Sequence, residues 1–339
     1  MKRFRDYGLQ SGLLPTGTRN TIADVPGVLV GHLTKIAGEA IRTGVTVIDP
    51  GVYDLYHTKL PAAVAVGNGY GKMTGIAQIT ELGTLETPIA LTNTLAVGPV
   101  LRGLVDVVLA ETPGIEPTDT INAVVGETND GLLNAIHDDV LTKADVRAAY
   151  DARSADVQVG CVGAGTGTRA FSWKGGIGTS SRQVTVQGRA YTVGVLVQTN
   201  FGGALTINGI PVGERLGKTD FASILPTGDG SCMIVVATDA PVDARQLGRI
   251  ARRTFLGLAR TGSVLASGSG DFAIAFSTSK GTLISDAELT PFFLATVEAT
   301  EESVYDALFA ATTTTGRNGA VLEALPKDIV VPWLLTRRL

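Results

Sequence analysis

Thr227-Gly228-Asp229-Gly230-Ser231-Cys232-Met233-Ile234-Val235-Val236-Ala237-Thr238-Asp239-Ala240-Pro241 is the stretch on which the reading of this chain turns. A turn-forming Gly-Asp-Gly ends at Gly230, a hydroxyl residue follows at once, and an apolar, β-branched run starts with no polar spacer. If the chain breaks between Gly230 and Ser231, Ser231 becomes a new N-terminus at the head of a buried strand. One residue then carries a nucleophilic hydroxyl and, in its own α-amine (reference pKa about 7.7–8), a base that can take the hydroxyl proton. Such a nucleophile does not require histidine. The same residues also suit an ordinary turn before a strand, and the rest of the chain must separate the two readings.

Bulk properties narrow the choice. The chain has 339 residues, 44% of them hydrophobic and 18% charged, enough for a large core and against disorder. Its 42 glycines follow no Gly-X-Y period, which implies many tight turns between short elements. The formal charge is −4, with no basic run and no basic-aromatic interleaving, so no nucleic-acid partner is expected. Cys161 and Cys232 stand far apart with no Cys-x-x-Cys, and His32, His57 and His137 are scattered singly. Neither a disulfide framework nor a metal site is indicated, and no cofactor is expected. The charged start Met1-Lys2-Arg3-Phe4-Arg5 has no apolar segment after it, and no run has the length of a membrane span. A cytoplasmic protein with no membrane partner is the expectation.

Along the chain, short strands are expected from Val28, over 42–48 and over 62–66, each bounded by Gly or Pro. Gly67-Asn68-Gly69-Tyr70-Gly71-Lys72 lacks P-loop spacing and reads as a close-approach turn. Helices are expected over 71–83 and 98–111, with Thr92-Asn93-Thr94 either lining a site or capping the second. An apolar strand ends at Gly126, followed by Glu127-Thr128-Asn129-Asp130, and a helix is expected near Asp130 with Asn129 or Asp130 as its cap. Capping accounts for one of those residues and leaves Glu127 at the strand end unexplained. Gly160 to Gly167 imitates a dinucleotide fingerprint, but no amphipathic helix follows, so hairpins are expected over 157–182. A strand over 193–198 leads to Asn200, whose amide could donate to an oxyanion or simply serve a turn. An exposed linker is expected over 204–226, and a helix over 241–260 with an apolar stripe and an arginine face turned to solvent or another subunit. Ser267-Gly268-Ser269-Gly270-Asp271 precedes a strand over 272–276, and a last helix is expected over 300–315, capped by Thr300 and stopped at Gly316. Short strands and helices in irregular alternation favour stacked layers.

Several of these segments together resemble the DmpA-type, or β-peptidyl, aminopeptidases: Asn20-Thr21-Ile22-Ala23-Asp24-Val25-Pro26-Gly27-Val28, Thr43-Gly44-Val45-Thr46, Gly126-Glu127-Thr128-Asn129-Asp130-Gly131, Gly230-Ser231, Ser267-Gly268-Ser269-Gly270, Thr315-Gly316-Arg317-Asn318-Gly319 and Glu323-Ala324-Leu325-Pro326. The resemblance spans nearly the whole chain. It implies an α/β, four-layer αββα sandwich like that of N-terminal-nucleophile hydrolases and of ornithine acetyltransferase. It implies one domain over 1–339, autocleaved into an α chain of 1–230 and a β chain of 231–339 and assembled as a homo-oligomer of the processed pairs. It implies release of N-terminal residues from small peptides, amino-acid amides or esters, D- or β-amino acids included.

Carried over by position, Ser231 is the nucleophile and Gly230-Ser231 the cleavage site. Asn200 is the oxyanion amide, Ser269 and Asp271 form a Ser-x-carboxylate pair beside the catalytic group, Glu127 receives the substrate's ammonium, and Asn129 stands where relatives carry an aromatic hydroxyl. Asp271 is shorter than the glutamate usual at its position. Two alternatives stand beside this reading: an acyltransferase of the ornithine acetyltransferase type, which uses threonine at the cleavage point where this chain has Ser231, and a non-catalytic, uncleaved binding protein on the same fold.

Overall fold

The computed structural model describes residues 2–220 and 229–336. Thr227 and Gly228, and the part of the expected linker over 221–226, lie outside the described residues.

Among the described residues there are fourteen strands: β1 Leu29–Ala37, β2 Ile41–Asp49, β3 Leu60–Gly69, β4 Thr84–Leu85, β5 Ile89–Asn93, β6 Val124–Thr128, β7 Arg169–Ala170, β8 Trp173–Lys174, β9 Ile177–Val186, β10 Arg189–Asn200, β11 Asp229–Thr238, β12 Gly268–Ser277, β13 Thr314–Thr315 and β14 Val321–Leu322. The α-helices are α1 Leu55–Thr58, α2 Ile76–Leu82, α3 Val97–Glu111, α4 Lys143–Asp151, α5 Val212–Arg215, α6 Ala244–Ala251, α7 Thr254–Arg260, α8 Thr290–Ala310 and α9 Lys327–Leu335. None is long and apolar enough to cross a membrane.

Two sheets carry the molecule. One has four strands in the order β1-β2-β5-β6, the other six in the order β4-β3-β12-β11-β10-β9. Side chains alternate across each strand, and three apolar clusters result. Val45, Val47, Ala90 and Val125 leave the outer face of the smaller sheet and meet Val100, Leu104 and Val107 of α3 and Val146 of α4. Ile48, Ile89, Leu91 and Val124 leave its inner face and meet Met233, Val235 and Ala237 of β11 and Phe272, Ile274 and Phe276 of β12. The intervening residues Cys232, Ile234, Val236, Ala273 and Ala275 face the other way, onto Leu247 and Ile250 of α6 and Phe292, Ala295 and Ala299 of α8. The layers therefore run helix, sheet, sheet, helix, as the resemblance implies. β11 is a central strand, antiparallel to β10 and parallel to β12, so burial on both faces gives its unbroken apolar run.

Several local expectations are corrected. Residues 71–75 are not helical, and α2 begins only at Ile76. No helix starts at Asp130: Asn129 Oδ1 accepts from the Gly131 N–H at 2.9 Å, a local turn, and a short 3-10 turn follows at Ile136–Asp138. The expected linker is not exposed where it is described, because Leu205, Ile207 and Val212 are core residues. The helix over 241–260 is two, α6 and α7, with the break at Arg252 and Arg253. The last helix expected over 300–315 is the second half of α8, which starts at Thr290 and ends at Ala310, before the expected stop at Gly316. Thr300 is no cap, since its hydroxyl donates to Thr296 O at 2.7 Å within the helix. Inside it Glu298 and Glu302 pair with the fully buried Arg182 at 3.1 and 2.8 Å.

Candidate active site

The β10–β11–β12 ladder sets the geometry of the site. Ser231 stands directly opposite Asn200 on the antiparallel side and opposite Gly270 on the parallel side. Directly paired residues share a sheet face, so the Ser231 hydroxyl and the Asn200 amide point the same way, toward the smaller sheet. A side chain at Gly270 would collide with Tyr70 O and Gly71 Cα, at 2.8 and 2.9 Å from its Cβ. Glycine at that rung lets the loop after β3 close over the strand. A cavity of about 520 Å³ results, lined by Ser231, Gly230, Gly268, Glu127, Asn129, Thr94 and the loop Gly69 to Lys72. Ser231 meets Glu127 and Asn129, which lie far from it in sequence, here.

Ser231 is buried, and in the continuous chain its hydroxyl donates to Gly230 O at 2.5 Å, on the peptide bond that cleavage would break. The Asn200 carbonyl oxygen accepts the Arg169 N–H at 3.2 Å. That contact sets the amide's orientation, because the group holding the N–H must be the oxygen, and the Asn200 NH2 is left as a donor beside the serine. One layer down, the buried Gln198 donates through Nε2 to Thr92 O, Thr128 Oγ1 and Ala164 O at 2.9–3.0 Å, tying the two sheets together beneath the site.

Glu127 is the penultimate residue of β6 and is 2% exposed. Its Oε1 accepts the backbone N–H of Lys72 at 2.9 Å and the Lys72 Nζ at 3.2 Å, and that ammonium also donates to Thr94 Oγ1 at 2.6 Å. A lysine of the glycine loop thus holds a cation on Glu127. The Lys72 side chain is 53% exposed, so it can be displaced.

Ser269 and Asp271 lie elsewhere. In β12 they pair with Gly230 and Cys232, the two neighbours of Ser231, and so occupy the opposite face of the sheet from its hydroxyl. Ser269 Oγ is 3.1 Å from where a Cβ on Gly230 would stand. Asp271 is fully buried, and neither of its carboxyl oxygens has a hydrogen-bond partner among the described residues. Burial raises the carboxyl to about 6, against a smaller opposing pull from the nearby Ser269 hydroxyl and Cys232 amide. The structure places this pair against the backbone of the Gly230–Ser231 bond and not against the serine oxygen.

The Cys232 thiol is pushed well up, first by burial and then by Asp271. His32 is buried and held down to about 4, His57 pairs with Asp54 at 2.7 Å, and neither lines the cavity. No group of His, Cys, Asp or Glu among the described residues could hold a metal ion. Lys72, Gln198 and Arg169 were not singled out in the sequence as site residues. Only Lys72 carried any signal, as the end of the glycine loop.

The model of peptidase family S58 matches residues 20–322. The chain is 40% identical to the β-peptidyl aminopeptidase BapA of Sphingosinicella microcystinivorans, over 96% of this chain and 89% of that protein. Among solved structures, a β-aminopeptidase of Burkholderia sp. superposes with a TM-score of 0.89 at 38% identity, over 99% of this chain and 98% of the other. The L-aminopeptidase D-Ala-esterase/amidase of Ochrobactrum anthropi superposes with a TM-score of 0.90 at 34% identity, over 99% of each. The last is described as a prototype of the serine aminopeptidases and a variant of the N-terminal-nucleophile hydrolase fold.

Proposed function

The chain belongs to peptidase family S58 and is a serine aminopeptidase, and from that premise we propose that it cuts itself between Gly230 and Ser231 and then works through the freed Ser231. In the first reaction the Ser231 hydroxyl attacks the Gly230 carbonyl carbon. The C–N bond breaks as the C–O bond forms, and the amine of Ser231 takes up a proton. Water then hydrolyses the ester, leaving Gly230 as a carboxylate and Ser231 as a chain end. In turnover the neutral α-amine accepts the hydroxyl proton, the oxygen attacks the substrate carbonyl, and the proton passes to the leaving amine. Water releases the acyl group by the same steps in reverse roles.

The Asn200 NH2 sits where it can donate to the developing oxyanion, a contribution on the order of 3 kcal/mol for such a donor elsewhere. Glu127 takes the substrate's ammonium in place of the Lys72 cation. A buried carboxylate discriminates strongly against an acylated amine, which would leave it unpaired. Substrates are peptides, amides or esters with a free amine on the first residue, and β-amino and D-amino acids fall within the class, as the relatives' names suggest. Ser269 and Asp271, beside the backbone of the cleavage bond, act on the new α-amine rather than on the hydroxyl.

The observation that carries this reading is that Ser231, paired in the sheet with Asn200 and Gly270, lines a cavity that the buried carboxylate Glu127 also lines. Intact mass under denaturing conditions, with N-terminal sequencing, tests it. Two species are expected, one beginning Ser-Cys-Met-Ile, and Ser231→Ala should give one full-length chain without amidase activity. A Ser231→Ala chain still split at the same bond would falsify autocatalysis by Ser231.

A further inference from the structure

A second cavity, of about 420 Å³, adjoins the first and shares Asn129 with it. It also contains Asn200, the rung partner of Ser231, so it adjoins the reacting position. Their chemistry differs. The first holds the carboxylate Glu127 with Lys72 on it, whereas the second has two guanidinium groups, Arg169 and Arg317, and no carboxylate among its described lining residues. Leu132 and Ile136 give it an apolar wall.

Arg317 is the arginine of the Thr315-Gly316-Arg317-Asn318-Gly319 motif, to which the proposed reaction gives no role. Its backbone N–H donates to Leu133 O at 2.9 Å and its Nε to Gly131 O at 2.6 Å. The guanidinium is thereby pinned to the loop that also presents Asn129, and its terminal nitrogens have no hydrogen-bond partner among the described residues. Arg169 already has a distant counter-ion, Asp220 at 4.0 Å, so Arg317 carries the argument.

A substrate of an aminopeptidase has one direction: ammonium, first-residue carbonyl, leaving part. With the ammonium on Glu127 and the carbonyl between Ser231 and Asn200, the leaving part must extend away from Glu127. The second cavity adjoins the first at Asn129, contains Asn200 and has no Glu127 in its lining, and it is the space we assign to that part. We infer that this cavity is the leaving-group subsite and that Arg317, with Arg169, selects substrates whose second residue ends in a free carboxylate. The favoured substrates are therefore zwitterionic dipeptides rather than amides or longer peptides. Guanidinium–carboxylate pairs of fork geometry are the ordinary means of such recognition. The inference rests on the placement of the ammonium and carbonyl proposed above.

The test compares β-alanyl-alanine with β-alanyl-alaninamide, which differ only at the far end. The wild-type enzyme should show a kcat/KM about tenfold or more higher for the acid. Arg317→Met should bring the ratio to within about threefold of unity, and Arg317→Lys should restore part of it. A wild-type ratio near one overturns the inference, and so does an Arg317→Met variant that slows both substrates equally, because a merely structural arginine would behave that way. Calorimetric titration with N-acetyl-alanine, which has the carboxylate but no ammonium and needs no turnover, separates the two layers of reasoning. Binding that N-acetyl-alaninamide does not reproduce and that Arg317→Met abolishes supports the subsite even if neither dipeptide is hydrolysed, in which case the proposed catalytic reading fails alone. Equal binding of acid and amide overturns the subsite even if both dipeptides are cleaved.

Discussion

Asp271→Asn should make the intact chain more stable at neutral pH while impairing the enzyme. The carboxyl is fully buried, lacks a hydrogen-bond partner at either oxygen among the described residues, and is raised to about 6 by burial. The sign follows from proton binding. Between about pH 4 and pH 6 the folded chain holds a proton that the unfolded chain has released, so this group's contribution falls as pH rises through that window and stays low above it. A carboxyl held near 6 instead of its ordinary 3.8 makes the ionised form cost on the order of 3 kcal/mol in the folded state.

Asparagine has the same shape without the charge, though its own buried amide costs about 1–2 kcal/mol when unpaired. The net gain at about pH 8 is therefore roughly 1–2 kcal/mol, and relative to the parent it shifts by about 3 kcal/mol between about pH 4 and pH 8. The comparison belongs in the Ser231→Ala background, so that the chain stays in one piece, with urea unfolding followed by tryptophan fluorescence across this pH range. A stability difference that does not change with pH would mean that the carboxylate is compensated in the intact chain, and the reasoning would be wrong. In the processed enzyme the gain should vanish. The new ammonium of Ser231 lies one rung from Asp271 and compensates it, so Asp271→Asn should there cost activity.

Glu127→Gln should lower kcat/KM on free-amine substrates about 100-fold, the scale for removing one partner of a buried charge pair, while self-cleavage proceeds; if wild-type enzyme cleaves N-acetylated and free substrates equally, the ammonium role is lost. Lys72→Met should lower KM for free-amine substrates about fivefold, since the half-exposed Lys72 ammonium competes for Glu127 with an energy of about 1 kcal/mol. A rise in KM would show that Lys72 assists the substrate instead.

Features written locally were legible in the sequence. The Gly-Ser junction before an unbroken β-branched run marked β11 and the Ser231 near its head, and the acid near the end of β6 pointed to Glu127, which lines the same cavity. What misled was burial of polar groups. α8 has no polar face because Glu298 and Glu302 are inside, neutralised by Arg182 and, for Glu302, also by Arg5 at 2.5 Å. Without an amphipathic stripe, its first ten residues gave no helical signal. The break at Arg252 and Arg253, likewise, is not marked by Gly or Pro. Lys72, Gln198 and Arg169 acquire their roles only when strands distant in sequence come together, and no spacing records that. The face on which Ser269 and Asp271 lie was equally hidden, because it depends on β12 pairing in parallel with β11 at one particular register.

That register bears on why a chain end can serve as a precise nucleophile. Fresh termini are usually disordered unless a sheet or core ties them down. Cleavage before Ser231 would create one in the middle of the larger sheet, already paired to Asn200 on one side and Gly270 on the other. The next residues, Cys232 through Ala237, are fully buried on both faces. Fraying the new end would expose that apolar run and break two ladders, so the amine and hydroxyl stay in place without added contacts. The amine then sits where two effects oppose. Burial favours its neutral, basic form, and the Asp271 carboxylate on the adjacent rung favours its ammonium. A full-strength ion pair would disarm the base, whereas an uncompensated buried carboxylate would strain the sheet. A carboxyl that lies on the opposite face and reaches only the backbone end of Ser231 would balance the two, which is a physical reason for the Ser-x-Asp pair to face away from the Ser231 hydroxyl.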